Sequence, residues 1–411
     1  MLRFTLPASG ERACTPPLHG SSDALALARL AGVRRPLMVI TATAADAQRL
    51  RQEVPFFDKS LRIHLLPDWE TLPYDQLSPH QDLVSERLAT LYQLMQREVD
   101  VAIVPVTTAL HRFAPVEYLA ARSFFFRQGQ RLQAQALRQQ LVTAGYAHVT
   151  QVVAPGEYCV RGGLLDLFPT GSALPYRIEL DDDLVESIRS FDVDTQRSIY
   201  KVNEVRLLPA REFPLDQEGQ TRFRRKFRET FEGDPSRSPV YRNVSKGVAI
   251  AGIEYYLPLF FDTTALLTDY LPSDTLVCIQ PGLQQAAEQF WRDMQGRYAM
   301  LRGDRANPVL TPPALFLTTD QFFGAIKPFA RVELRSVQSS AFNVPGSTPD
   351  TTIGNTESET LNTEPGTLNP PAAEAATLPL PQLAGSMFRV QCSTFRIPCC
   401  RWWCPGSNPE R

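Results

Sequence analysis

PLMVITA, residues 36–42, is an uninterrupted apolar run with the length of one buried strand. Two comparable runs follow, LRIHLL at 61–66 and DVAIVPV at 100–106, and segments with helical periodicity lie between them. Strands that are apolar on both faces and alternate with helices are typical of a parallel sheet covered by helices. We therefore expect residues 1–122 to form a first α/β lobe.

The clearest helix is predicted within LSPHQDLVSERLATLYQLMQR, residues 77–97. Ser78 is suited to the N-cap and Pro79 to the first helical position. Apolar residues then recur at helical spacing, at Leu83, Val84, Leu88, Leu91 and Met95. Such a stripe favours a helix that packs on the core over one that offers a binding groove.

Residues 123–209 have a different pattern of predicted helices and strands. One helical stretch, stopped by Gly145, precedes several strand-like segments that are joined by short turns. Short turns connect antiparallel neighbours, so an inserted small α+β domain is predicted here. The mixed pattern returns at 210–337, which is predicted to be a second lobe that completes the first sheet.

The last part of the chain, residues 338–411, contains ten prolines and no lysine. Such a composition buries too little apolar surface to offset the entropy lost on ordering, so a disordered low-complexity tail is predicted. Four cysteines crowd into the last twenty residues, at Cys392, Cys399, Cys400 and Cys404. Because they form no paired C-x2-C and have no nearby histidine, an unstructured tail is favoured over a zinc site.

The overall charge is nearly balanced, with 42 Lys+Arg against 44 Asp+Glu. No global field draws the chain to nucleic acid or to an anionic membrane, so binding to a polyanion needs a local patch. No apolar run is long enough to span a membrane, and Arg3, Glu11 and Arg12 interrupt the region where a signal peptide needs an apolar stretch. A cytoplasmic protein without membrane contact is expected.

Catalytic motifs are missing from the sequence. The segment PPLHGSSDALALARLAG, residues 16–32, has the position of a phosphate-binding loop but has no lysine and a single glycine before the helix. The histidines form no metal-binding arrangement, and there is no G-x-S-x-G motif. Asp181, Asp182 and Asp183 favour a solvated turn over a cation site, because consecutive strand residues point to opposite faces. We predict no catalytic residue, metal or cofactor.

The most basic stretch is QTRFRRKFRETFEG, residues 220–233. Phe223, Phe227 and Phe231 are spaced to lie on one face of a helix, with most of the cations on the other. A helix docked by its phenylalanines, with a solvated basic face, is favoured. A contact with the DNA backbone is the open alternative, since clustered cations bind phosphates; it would involve Arg222, Arg224, Arg225, Lys226 and Arg228.

Several long, ordered segments resemble the amino-terminal part of the bacterial transcription-repair coupling factor, Mfd. The resemblance covers roughly residues 1–337 and is carried by LPDWETLPYDQLSPHQDLVSERLATLYQL (66–94), GQRL (129–132), GEYCVRGGLLDLFPTGSALPYRIEL (156–180), SIRSFDVDTQRS (187–198), LLPAREFP (207–214) and AGIEYYLPLFF (251–261).

The resemblance implies a module similar to the excision-repair protein UvrB. Its fold is a degenerate, helicase-like P-loop sheet split into two lobes, with an inserted domain that binds the UvrA ATPase. The DNA-gripping hairpin of UvrB has no counterpart in the short connection PDWETLPYDQLSPH. Full-length members also contact RNA polymerase and translocate on DNA with an ATP-hydrolysing motor. Those domains are missing here, so we expect a truncated or frame-shifted product that is not an enzyme.

The resemblance also assigns a binding site. Arg161 and Arg177 match the positions of the arginines with which the inserted domain grips UvrA, so binding is favoured over a role in keeping the strands soluble. The predicted site comprises Arg161, Arg177 and the adjoining Gly162. Members of the family often have an aromatic residue where this chain has Asp181, so Asp181 is left out. The expected function is an adapter that recruits excision repair through UvrA. The alternative is a fragment with residual DNA binding or ATP-dependent, helicase-like activity.

Overall fold

The computed structural model describes residues 6–336. The predicted disordered tail and its four cysteines lie outside these residues. In the described part, the strands are β1 (Arg12–Leu18), β2 (Leu37–Thr41), β3 (Ile63–Leu65), β4 (Val101–Pro105), β5 (Phe124–Arg127), β6 (Ala147–His148), β7 (Glu157–Arg161), β8 (Leu164–Phe168), β9 (Tyr176–Asp181), β10 (Leu184–Phe191), β11 (Ser198–Val202), β12 (Glu204–Leu207), β13 (Leu276–Ile279) and β14 (Ala330–Ser336).

The α-helices of the same residues lie between these strands. They are α1 (Ser22–Val33), α2 (Ala44–Phe57), α3 (Gln81–Met95), α4 (Val106–Ala109), α5 (Val116–Ala121), α6 (Ala134–Thr143), α7 (Gln217–Thr230), α8 (Pro239–Val244), α9 (Leu283–Leu301), α10 (Pro312–Leu315) and α11 (Thr319–Ile326). Short 3₁₀ helices cover Pro235–Arg237, Ile253–Phe260 and Leu267–Tyr270.

A six-stranded parallel sheet forms the centre of the α/β part, with the strand order β1-β14-β13-β2-β4-β3. Strands β13 and β14 come from the second half of the chain and insert between β1 and β2. The predicted parallel α/β sheet, begun by the first part of the chain and completed after the second sheet, is confirmed.

The inner strands of this sheet are buried on both faces, which explains why β2 and β4 are apolar throughout. Val39 and Ile103 point to the side covered by α1 and α2. Met38 and Val104 point to the opposite side, where α3 and α9 pack. Every residue of β2 and β4 is buried. Strands enclosed in this way need continuous apolar runs, because neither side reaches water.

A second six-stranded sheet, with the order β11-β10-β9-β8-β7-β6, lies within residues 147–202. Its neighbours are antiparallel except for β6 and β7. Helix α6 covers one face, where Leu137 and Leu141 join a core with Leu165 and Ile178. Strands β5 and β12, which precede and follow this region, pair antiparallel with each other. The α+β character predicted for this region is confirmed.

A buried ion pair joins α3 to the chain that leaves β12. Arg87 is completely buried and donates from Nε to Glu212 at 2.6 Å and from Nη1 to the carbonyl of Pro67 at 2.7 Å. Its guanidinium also lies over the ring of Trp69. Removing one partner of such a pair leaves an uncompensated charge in the interior. This contact therefore holds the end of the second-sheet region against the α/β part.

The start of α3 differs from the prediction. The N-cap is His80, whose Nδ1 accepts a hydrogen bond from the backbone N–H of Asp82. Ser78 lies before the helix, where its hydroxyl donates to Glu254 at 2.7 Å and accepts from the backbone N–H of Gly252. A partner that is distant in sequence thus binds the hydroxyl that was expected to cap the helix.

None of the described helices is long and apolar enough to cross a membrane.

Candidate protein-binding face

Strand register brings the two predicted arginines together. Arg177 on β9 lies directly opposite Asp166 on β8, and Arg161 ends β7 two residues beyond Cys159, which is itself opposite Asp166. Successive residues of a strand alternate between faces, so these side chains share the face turned away from α6. The same face carries neighbours from adjoining strands. We call the set the arginine face: Arg161, Leu164, Asp166, Arg177, Glu179 and Arg189.

Asp166 is the centre of this face. Its side chain is 1% exposed, and it accepts hydrogen bonds from both arginines. Arg161 donates from Nη2 at 2.6 Å, and Arg177 donates from Nε at 2.7 Å and from Nη2 at 2.9 Å. A buried carboxylate needs such partners, because an unpaired charge in the interior is costly. The motif LLDLF, one carboxylate inside an apolar strand, is the sequence signal that could have revealed it.

The guanidinium of Arg177 donates hydrogen bonds mainly to groups within the protein. Besides the two bonds to Asp166, its Nη1 donates to the carbonyl of Gln196 at 3.2 Å. The guanidinium also lies 4.9 Å from the ring centroid of Phe191. The hydrogen bond to Asp166 raises the pKa of Arg177, and its side chain is only 18% exposed.

Arg161 is the more accessible of the pair. Its side chain is 54% exposed, and among the described residues only Nη2 donates a hydrogen bond. The remaining guanidinium N–H groups can meet a carboxylate in the forked geometry that arginine favours.

Gly162 shapes the hairpin that presents Arg161. Its φ of +59° lies in the left-handed region, which favours glycine. The next residue, Gly163, leaves no room for a side chain, since a Cβ atom would lie 2.7 Å from the carbonyl oxygen of Leu180. Gly162 therefore contributes to the predicted site through the backbone of the turn.

The rest of the arginine face is mixed in character. Leu164, opposite Arg161, is 36% exposed. Glu179 accepts from the hydroxyl of Ser187 and lies 3.7 Å from Arg189. The face thus combines an accessible cation, an apolar side chain and a carboxylate, a composition suited to a specific protein partner.

The basic helix, α7, is docked as its phenylalanines predict. Phe223 and Phe227 are fully buried, and Phe231 packs at the edge of the same cluster. Several of its cations are engaged within the chain. Arg222 and Arg225 pair with Asp262, and Lys226 donates to the carbonyls of Phe261 and Asp262. Arg224 donates a hydrogen bond to Thr221. The guanidinium of Arg228 lies over the ring of Tyr241.

The β1–α1 connection occupies the position of a phosphate-binding loop and has both carboxylates and arginines around it. Asp23 sits in the first turn of α1, where it accepts from the backbone N–H of Ala24 and pairs with Arg49 at 2.6 Å. A cavity of about 410 Å³ beside it is also lined by Asp46 and Glu53. A negative side chain in the first turn of a helix disfavours the binding of a phosphate there.

The three consecutive aspartates form the tip of a turn. Asp181 closes β9 opposite Leu184, and Asp182 has a φ of +52°. Among the described residues, no group of three or more His, Cys, Asp or Glu side chains is arranged to hold a metal ion.

Comparison with known proteins shows which families this chain resembles. Residues 124–213, which include the whole arginine face, match the family described as UvrB interaction domain. The chain is 43% identical over 337 residues to the transcription-repair-coupling factor of Escherichia coli (strain K12) and 40% identical over 351 residues to that of Haemophilus influenzae. A third relative, from Myxococcus xanthus, is 33% identical over 308 residues.

The chain is homologous to the amino-terminal part of the transcription-repair-coupling factors. The matches cover 81%, 83% and 70% of this chain and 29%, 30% and 26% of the respective relatives. The resemblance to this family that was drawn from the sequence is confirmed. The coupling-factor relationship extends over both the parallel sheet and the second sheet.

Proposed function

We propose that this chain is a non-catalytic adapter that binds UvrA through the arginine face. In a complete coupling factor, such a module would bring nucleotide excision repair to RNA polymerase stalled at a DNA lesion. The observation that carries the proposal is the position of the arginine face inside the segment that matches the UvrB interaction domain. Its half-exposed Arg161 is suited to a carboxylate of the partner.

The surroundings of α1 support an adapter over a nucleotide-hydrolysing enzyme. Phosphoryl transfer needs cations that neutralise the developing charge on the phosphate. In this chain the corresponding helix start carries Asp23, and Arg49 beside it is already engaged by three carboxylates. An ATP-dependent motor is therefore assigned to other parts of a complete coupling factor.

The test is the affinity of purified UvrA for the full chain. We expect the wild type to bind and Arg161→Ala to weaken binding by about tenfold or more, the loss typical of a central interface arginine. Arg138→Ala is the matched control, because Arg138 is an exposed arginine on α6, which covers the opposite face of the second sheet. Absence of wild-type binding, or equal losses in both variants, would contradict the proposal.

A further inference from the structure

We propose that Asp166 is a positioning residue that orients Arg161 for the partner, and that Arg177 supports Asp166 in this role. The inference rests on the proposed function, since it divides the roles within the arginine face. It departs from the expectation that both arginines grip the partner in the same way.

Arg177 is bound on several sides by groups of the protein itself. All three of its guanidinium nitrogens donate inside the protein, two to Asp166 and one to the carbonyl of Gln196. Its side chain is mostly buried and lies over Phe191. Arg177 therefore serves mainly as the counter-ion of a buried carboxylate, which would lose compensation without it.

Arg161 is held at one end only. It reaches Asp166 with Nη2 alone, so one end of the guanidinium is held while the rest faces solvent. Asp166 is anchored in the middle of β8 between β7 and β9, and it bonds Arg177 with both of its oxygens. An arginine held by a rigid support loses less side-chain freedom on binding than a free one does.

The combined charge of Arg161, Arg177 and Asp166 also favours Arg161 as the group that meets the partner. Arg161 and Arg177 share one carboxylate, so the three side chains together carry a net charge of about +1 that is centred on the accessible arginine. A carboxylate of the partner would meet Arg161 without having to displace Asp166. Asp166 thus orients the cation and leaves it the capacity to bind.

A double-mutant cycle tests this division of roles. UvrA affinity is measured for the wild-type full chain, Asp166→Asn, Arg161→Ala and the double variant, with urea unfolding recorded for each. We expect Asp166→Asn to weaken binding about tenfold in the wild-type background and less than about twofold when Arg161 is already alanine. Equal losses in the two backgrounds would overturn the proposal, because Asp166 would then act independently of Arg161.

Arg177→Lys provides a second test if Asp166→Asn does not fold. Lysine keeps the charge but cannot form the fork that arginine makes with Asp166. A loss of UvrA affinity that disappears in the Arg161→Ala background supports the indirect role. A loss of the same size in both backgrounds means that Arg177 contacts the partner.

A readout without UvrA separates this inference from the proposed function. Nitrogen-15 relaxation of the Arg161 Nε in the free chain should report a restricted side chain in the wild type and a mobile one in Asp166→Asn. Equal mobility would overturn the positioning role, whether or not UvrA binds. Restricted wild-type motion without UvrA binding would mean that the positioning is correct and the proposed function is wrong.

Discussion

At the residue scale, the sequence predicted the two arginines but not the carboxylate between them. Arg161 and Arg177 came from the resemblance to the coupling factors, whereas Asp166 becomes visible only when the strands are paired. Its partner on β9 is 11 positions away in the sequence, and strand register decides that the two side chains meet. The site predicted from the sequence lacked Asp166 because the register of the strands cannot be read from the sequence alone.

The two arginines should differ in their effect on stability. Arg177→Ala leaves the buried Asp166 with a single hydrogen bond, from the half-exposed Arg161, and we expect the free energy of unfolding to fall by about 2–3 kcal/mol. Arg161→Ala removes a half-exposed partner and should change it by less than about 1 kcal/mol. Urea denaturation of the two variants beside the wild type measures both values, and a reversed order would contradict the assigned roles.

Glu254 makes stability depend on pH. Burial raises its pKa from 4.5 to about 7, although the hydroxyl of Ser78 and the charge of Arg211 act in the opposite direction. In the unfolded chain the group ionises near pH 4.5, so between that pH and about 7 the folded state binds more protons. The contribution of this group to stability is therefore present below pH 4.5 and is lost as the pH rises to about 7.

Glu254→Gln isolates this effect. The amide keeps an acceptor for Ser78 and cannot ionise, so the variant should gain on the order of 2 kcal/mol relative to wild type near pH 8 and little near pH 4. Thermal or urea unfolding at the two pH values gives the comparison. A constant difference between wild type and variant across this range would show that Glu254 does not titrate as its burial indicates.

At the element scale, the sequence predicted the contacts of the apolar face of α7 but not those of its basic face. The spacing of its phenylalanines indicated the docked face, and Phe223 and Phe227 are buried there. Arg222, Arg225 and Lys226 also bind acceptors at residues 260–262, more than thirty positions along the chain, and these contacts could not be read from the local pattern. Contact with DNA by this helix remains a prediction.

Retention on duplex DNA tests that prediction. Because most cations of α7 already have intramolecular partners, we expect little retention at about 150 mM salt, where only proteins with many free phosphate contacts remain bound. If the chain is retained in low salt, Arg224→Gln together with Arg228→Gln shows whether α7 is responsible. Salt-sensitive retention that this pair abolishes would restore the DNA-contact interpretation.

At the scale of the whole molecule, the sequence predicted the buried inner strands of the parallel sheet but not strands β1 and β14. The buried strands β2, β4 and β13 were recognised from their apolar runs. Strands β1 and β14 were missed, since β1 carries two prolines and β14 has polar residues such as Arg331 and Glu333 on its partly exposed positions. Their place beside each other follows from tertiary pairing and not from local composition.

The acidic surroundings of α1 predict how the whole chain behaves with nucleotide. We expect no ATP turnover above a buffer blank, with or without duplex DNA, because Asp23 stands where a phosphate would need donors and cations. A phosphate-release assay on the purified chain measures this. Asp23→Asn serves as a control for contamination, since contaminating activity would not respond to the substitution. Turnover that does respond would mean that the sheet still handles nucleotide.

The order of strands in the parallel sheet has a consequence for synthesis on the ribosome. Strand β1 is translated among the first twenty residues, yet its neighbour β14 is completed only at Ser336. The nascent chain must therefore keep β1 and one side of β2 unpaired while more than two hundred further residues emerge. The second sheet, whose strands are contiguous in the sequence, can assemble earlier. The arginine face would then be formed on the ribosome before the parallel sheet is complete.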